Sequence, residues 1–243
     1  MQRQGNRARA VSIDSIFPKV LFYIGGIPIK DTVLQTWIVI AVLIGLAAWV
    51  RNRYRVWEPQ TWQLAIEYAA EYIDDLIVDM GGRALPEIAS YLTTMISFIA
   101  IANLLGLLPV FQAPTRDLGT TLALSLVSLG SVQFYGIRAR GIKGYLHSFI
   151  EPNAIMLPFH LLGHLSRTLS MALRLFGNIV AGEIISGVFF MLVPLLAPLV
   201  MNILGMIVSV LQALVFTALT LVFVVDAMGV QTPSPTGQES FKI

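Results

Sequence analysis

His160, Arg167 and Arg174 stand seven residues apart in a stretch that is otherwise almost entirely apolar. Seven residues are two helical turns, so the three share a face that drifts by only about 20° per heptad. Ser166, Ser170 and Asn178 flank this stripe. An arginine cannot escape burial by losing its proton. At mid-membrane its charge costs between about 2.5 and 17 kcal/mol. It needs water, backbone acceptors or a carboxylate. Arg167 lies nearer the helix end and can snorkel to the surface. Arg174 lies deeper, and its face carries no acid. Glu183 follows nine residues later, roughly half a revolution round the helix, on the opposite side. The next 42 residues, 184–225, are uncharged and offer Asn202 and Gln212 but no acid before Asp226. The countercharge for Arg174 is therefore expected from another polypeptide. The alternative is an arginine satisfied by amides and carbonyls of its own chain.

Other chemistries find less support in these residues. His160 and His164 have the i, i+4 spacing of a metal pair, but Leu161 stands where a hydrolytic motif needs its glutamate. No third ligand suggests itself, so no metal or other cofactor is expected. Cysteine is absent, which excludes disulfides and thiolate chemistry. No serine sits in a GxSxG context, and there is no GxxxxGK[ST] loop to hold ATP phosphates.

The elements that must position the stripe follow from composition. Of 243 residues, 56% are hydrophobic and only 12% charged, and the mean hydropathy is +0.75. A soluble domain carries about 25% charged residues, so the solvent of this chain is a bilayer. The net charge is +2 and no basic patch interleaved with aromatics occurs, so nucleic acid is not an expected partner. Uncharged runs mark the spans: 32–50, 88–115 and 118–137. Backbone groups cannot stay unpaired in lipid, so each run is expected to be helical. Pro194 and Pro198 place a turn in "VPLLAP", leaving two helices of roughly 154–190 and 199–226. The first exceeds a perpendicular span and should tilt or bend. Gly163, Gly177, Gly182 and Gly187, with Ala172 and Ala181, allow close helix approach along it.

The fold class expected is thus an all-α integral membrane protein. It has about five transmembrane helices, the last two forming a long tilted hairpin, plus an interfacial amphipathic helix within 51–84. On that helix Glu67, Glu71, Asp74, Asp75 and Asp79 form a solvated acidic face, with a cation site as the alternative. Residues 1–30 are expected as an extramembrane tail with no standard signal peptide, 31–228 as one membrane domain, and 229–243 as a C-terminal tail. Arg51, Arg53 and Arg55 after the first span, and Arg138, Arg140 and Lys143 after the third, orient both loops to the cytoplasm. The N-terminus then lies outside and the C-terminus inside.

"LRLFGNIVAGE" (173–183) followed by "LQALVFTALTLVFV" (211–224) resembles subunit a of the F-type ATP synthase membrane sector. "NLLGLLP" (103–109) and "PTRDLGTTLALSL" (114–126) fit the same family in the same order. The resemblance runs from about residue 60 to 226. It implies a non-catalytic, multi-pass subunit of an energy-coupling membrane, most simply the bacterial inner membrane. Its partners would be the ring of subunit c, the peripheral-stalk subunit b and the lipid bilayer. It implies that Arg174 is the rotor-facing arginine, meeting the carboxylate of each passing ring subunit. Asn178, Glu183 and Gln212 match polar positions of the outer half-channel, and Asp117 an acid of the outer loop. Ser166 and Ser170 match small polar positions on the cytoplasmic side. His160 stands where the family often has a carboxylate and would line the cytoplasmic half-channel. Thr168 replaces a common proline, and Gly205 stands where a titratable histidine can occur. The ion implied is a proton, with Na⁺ as the alternative. A rival class is an autonomous secondary transporter binding an anionic substrate at Arg174, which would favour an internal repeat and paired broken helices. Neither is visible in the sequence.

Overall fold

The computed structural model describes residues 20–24, 27–54, 61–81, 85–106, 111–150, 156–192 and 197–229. A short antiparallel hairpin, β1 (Val20–Ile24) and β2 (Ile27–Lys30), leads into six helices. These are α1 (Asp31–Arg53), α2 (Thr61–Gly81), α3 (Pro86–Leu105), α4 (Leu118–Ile150), α5 (Met156–Leu192) and α6 (Ala197–Met228). All but α2 contain a stretch long and apolar enough to cross a membrane, giving five candidate spans. The architecture is that of an all-α integral membrane protein. The hairpin is an addition to the expected tail. Its signal was present: two β-prone runs separated by Gly25 and Gly26 are the usual mark of a tight β turn.

Two helical runs end differently from expectation. Residues 88–115 are not one helix. The helix α3 stops at Leu105, and a 3₁₀ turn, Pro114–Arg116, closes the segment. Pro114, Thr115 and Arg116 are buried, and the turn packs against α1, α3, α4 and α5. Irregular backbone is tolerated at membrane depth where protein surrounds it. Gly106 makes room for it, since a side chain there would strike the Ala113 backbone nitrogen at 2.7 Å. The third run continues past 137, and α4 stays helical beyond Arg138 and Arg140. Its backbone breaks at Gly141 (φ 73°, ψ 161°), a conformation essentially reserved to glycine. The break lets Tyr145 fold back onto Gly136 and donate its hydroxyl hydrogen bond to Gln133.

Two apolar clusters hold the bundle. Ile73 and Ile77 of α2 join Ile88 and Leu92 of α3, Val132 of α4, and Leu221, Val224 and Val225 of α6. This explains why α2 stays attached while Glu71, Asp74, Asp75 and Asp79 remain exposed. Met95 and Ile99 of α3 join Met171 and Leu175 of α5 and Ala213 and Phe216 of α6. Between α4 and α6 the contact is a seam of small polar groups. Thr121, Ser125, Ser128 and Thr220 are buried, with Ser128 and Thr220 hydroxyls 2.8 Å apart; Thr217, also buried, borders α2 and α3. Most of these hydroxyls also donate to carbonyls of their own helices, as Thr217 and Thr220 do at 2.9 Å. The seam therefore pairs its hydroxyls internally while letting the helices approach closely.

Candidate functional site

Helices α5 and α6 run antiparallel, and their contact has three levels. At one end the Arg167 guanidinium lies 3.6 Å from the Asp226 carboxylate and 4.8 Å over the Phe223 ring. Sequence spacing assigned Arg167 to the surface. Its side chain is 48% exposed, but the acid at the far end of α6 reaches it. Arg140 reaches the same end and donates to the Asp226 carbonyl at 3.3 Å. At the middle level Met171 and Leu175 share a buried cluster with Ala213 and Phe216. At the other end α5 and α6 diverge round a cavity of about 560 Å³.

Arg174 belongs to the middle level and points away from the bundle. It is exposed and forms no ion pair with any described residue. On the same helix the leucines 161, 165, 169 and 173, four residues apart along one ridge, are also exposed. Ser166 and Ser170 are exposed on the same helix, as is His160. None of these three lines the cavity between α5 and α6.

The cavity takes Asn178, Glu183 and Ser186 from α5 and Gly205 and Ser209 from α6. Gly106 and Ala113 form part of its wall, with Asn103 of α3. Glu183 is thus the carboxylate of a roomy, partly polar chamber. At 1.5 Å rise per residue it lies roughly 13 Å along the axis from Arg174. Gly205, where a bulkier titratable side chain was considered, leaves this chamber open. Gln212 is 8% exposed and lies outside the lining, in the helix contact beside Ala213. Its Nε2 has no hydrogen-bond partner among the described residues, so no bond from that amide holds Glu183. The side chain of Asn202 lies outside the described residues.

Asp117 is engaged elsewhere. Lys30 donates to its two oxygens at 2.9 and 3.1 Å, and Thr32 donates to it at 3.4 Å. Beside it Arg116, 3% exposed, donates to Asp31 at 3.2 Å. Two ion pairs therefore clamp the start of α1 to the turn before α4. Sequence reading missed Asn103, Arg116, Ser186 and Ser209 as neighbours of the site. Asn103 lay inside a recognised block, but spacing along one helix says nothing of what a neighbouring helix contributes. His160 and His164 bring no third ligand: among the described residues no group of three His, Asp or Glu is placed to hold a metal ion.

Comparison with known proteins gives a family. The family described as ATP synthase A chain matches residues 33–225. ATP synthase subunit a 2 of Picosynechococcus sp. is 42% identical over 205 residues, covering 84% of this chain and 88% of that protein. ATP synthase subunit a 1 of Crocosphaera subtropica is 38% identical over 207 residues, covering 84% and 90%. ATP synthase subunit a of Legionella pneumophila is 36% identical over 210 residues, covering 86% and 90%. With five apolar helices in the order its motifs require, and similarity along most of its length, the chain belongs to the family of ATP synthase subunit a.

Proposed function

We propose that this chain is the stator subunit a of a rotary F-type ATP synthase, carrying protons through two offset half-channels past a ring of c subunits. One observation carries the reading: Arg174 is a permanent charge on an apolar outer face, with no ion pair to any described residue. A charge in that setting requires a partner, and a carboxylate on a neighbouring ring is a partner of the right sign. Away from Arg174 such a carboxylate faces lipid and must be protonated. Opposite Arg174 it is favoured ionised, because a nearby opposite charge lowers its pKa. A proton is released on one side of the arginine and reloaded on the other. The fixed charge also blocks direct hopping between the two paths. Each proton crossing about 100 mV supplies roughly 2.3 kcal/mol to bias rotation.

The chamber holding Glu183 and Asn178 serves as the outer half-channel, with Gln212 at its inner end and the Asp117 clamp supporting its mouth. His160, Ser166 and Ser170 form the cytoplasmic path. They are exposed on the Arg174 helix, so their path closes only when a ring covers it. Residues 31–228 act as one membrane domain. Five crossings put the ends on opposite sides, the N-terminus outside and the C-terminus in the cytoplasm of a bacterial cell. A peripheral-stalk subunit b packs outside the contact with the ring. The chain itself performs no ATP chemistry.

Substitution tests this directly. Arg174→Ala should abolish proton-driven ATP synthesis while the complex still assembles. Arg174→Lys should fail as well, since an ammonium lacks the planar fork of guanidinium. Synthesis at the wild-type rate in an assembled Arg174→Ala complex would remove the proposal.

A further inference from the structure

The α4 helix turns back on itself at one end. At Gly141 the backbone takes φ 73° and ψ 161°, and the helix resumes from Ile142 to Ile150. Tyr145, 6% exposed, packs on Gly136 and donates its hydroxyl hydrogen bond to Gln133. Gln133 precedes the break by eight residues, about 12 Å along the axis at 1.5 Å per residue. The resumed helix is therefore held at the level of the last turns of the span instead of leaving it.

Helical spacing sets what this short helix presents. With Tyr145 turned inward, Ile142 and Leu146 lie about 60° and 100° round from it, and Lys143 about 160°, at 100° per residue. Ile142 is 65% exposed and Leu146 58%, and Lys143 is exposed as well. An apolar flank thus runs between an anchored edge and a lysine edge. A helix of this kind lies in the plane of the membrane interface. The neighbouring cations are engaged. Arg138 pairs with Glu87 at 3.0 Å, Arg167 pairs with Asp226 at 3.6 Å, and Arg140 donates to the Asp226 carbonyl at 3.3 Å. The Lys143 ammonium has no ion pair or hydrogen bond among the described residues. The four cations named here meet two carboxylates, so this end of the bundle favours a further anion.

We propose that the fold-back after Gly141 is a binding surface for an anionic phospholipid. Ile142 and Leu146 sink among its acyl chains, and Lys143 meets the phosphate of its headgroup. Charge selects an anion, and the apolar flank beside the lysine selects one that carries chains. The surface uses none of the residues assigned above to the proton path, and it depends only on the membrane-spanning fold.

The test uses the assembled synthase in vesicles, with a bimane label on Leu146→Cys of this chain. The chain has no cysteine of its own, and the other subunits are made free of reactive cysteine. The vesicles hold equal parts of phosphatidylcholine and phosphatidylglycerol, with brominated acyl chains on one lipid or on the other. Brominated phosphatidylglycerol should quench the label more strongly. The preference should be roughly fivefold, the equivalent of about 1 kcal/mol for a basic side chain near an anionic surface. Lys143→Gln should bring it close to one, and Lys143→Arg should keep it. Equal quenching by the two lipids overturns the proposal, as does a preference unchanged by Lys143→Gln. No quenching by either lipid means that water or protein covers the face, and this overturns it too. If Leu146→Cys fails to assemble, the same label on Ile142→Cys decides. Arg174→Ala should lose ATP synthesis yet keep the lipid preference, so the proton-path reading and this one fail separately.

Discussion

At the scale of single residues, the chain treats three of its arginines in three ways. Arg116 is buried and given Asp31. Arg167 is half-exposed and given Asp226. Arg174 has no acid among the described residues and faces outward. The contrast matters because a buried charge without a partner is penalised by several kcal/mol, and the fold satisfies that rule for Arg116. Glu183 is the acidic counterpart, held in a chamber rather than in a pair. Glu183→Gln keeps the shape and removes the titrating group. It should slow proton entry by roughly the 10²–10⁴-fold that a positioned acid–base group contributes, and flatten its dependence on outer pH. Passive proton flow through the assembled membrane sector, measured over a range of pH, checks it. Flow equal to wild type at every pH would assign Glu183 a packing role.

At the scale of elements, the breaks in the helices are as informative as their lengths. The 37 residues of α5 extend roughly 55 Å, far beyond a hydrocarbon core of about 30 Å. A helix of that length can present Arg167, Arg174 and Glu183 at separate depths on one rigid rod. The α4 helix takes the opposite course and stops its straight segment at Gly141. An alanine there is forced into backbone space that costs of order 1–3 kcal/mol. Gly141→Ala should therefore lower the stability of the solubilised chain by that amount and release Tyr145 from Gln133. Thermal unfolding in detergent, with tyrosine fluorescence as a local probe, measures both. An unchanged transition would mean that the fold-back contributes nothing to stability.

At the scale of the whole molecule, many large apolar side chains are exposed on the helices. Leucines 161, 165, 169 and 173 of the same helix as Arg174 are between 47% and 63% exposed. Lipid can cover leucines but cannot neutralise an arginine. The proposed ring must therefore touch the face of α5 that carries Arg174, with Ser170 and Gly177 exposed beside it. The chain has no cysteine, so single cysteines can be introduced cleanly. Ser170→Cys and Gly177→Cys, both exposed on the Arg174 face, should cross-link to cysteines placed on a c subunit. Leu221→Cys, 1% exposed in the interior, should not. Cross-linking confined to subunits other than c would move the rotor contact off this face.

Much of this was legible in the sequence because membranes impose simple rules. Three uncharged runs, and a proline turn dividing the sparsely charged stretch after them, marked five spans, since unpaired backbone is not tolerated in lipid. Heptad spacing put His160, Arg167 and Arg174 on one helix, and the lack of an acid on that face left Arg174 needing an external partner. Other features were decided only by tertiary structure, because they depend on which side chains distant segments bring together. Asp226 reaches Arg167 from 59 positions away because α6 runs back along α5. Lys30 and Asp31 meet Asp117 and Arg116 because the start of α1 and the turn before α4 share one end of the bundle. The segment "FQAPTRDLG" reads as an outer loop, but that its turn at 114–116 is buried among four helices depends on the surrounding protein. The chamber itself has no sequence signature. Its walls come from α3, α5, α6 and the segment before α4, and a void is a property of how helices diverge, not of any one of them.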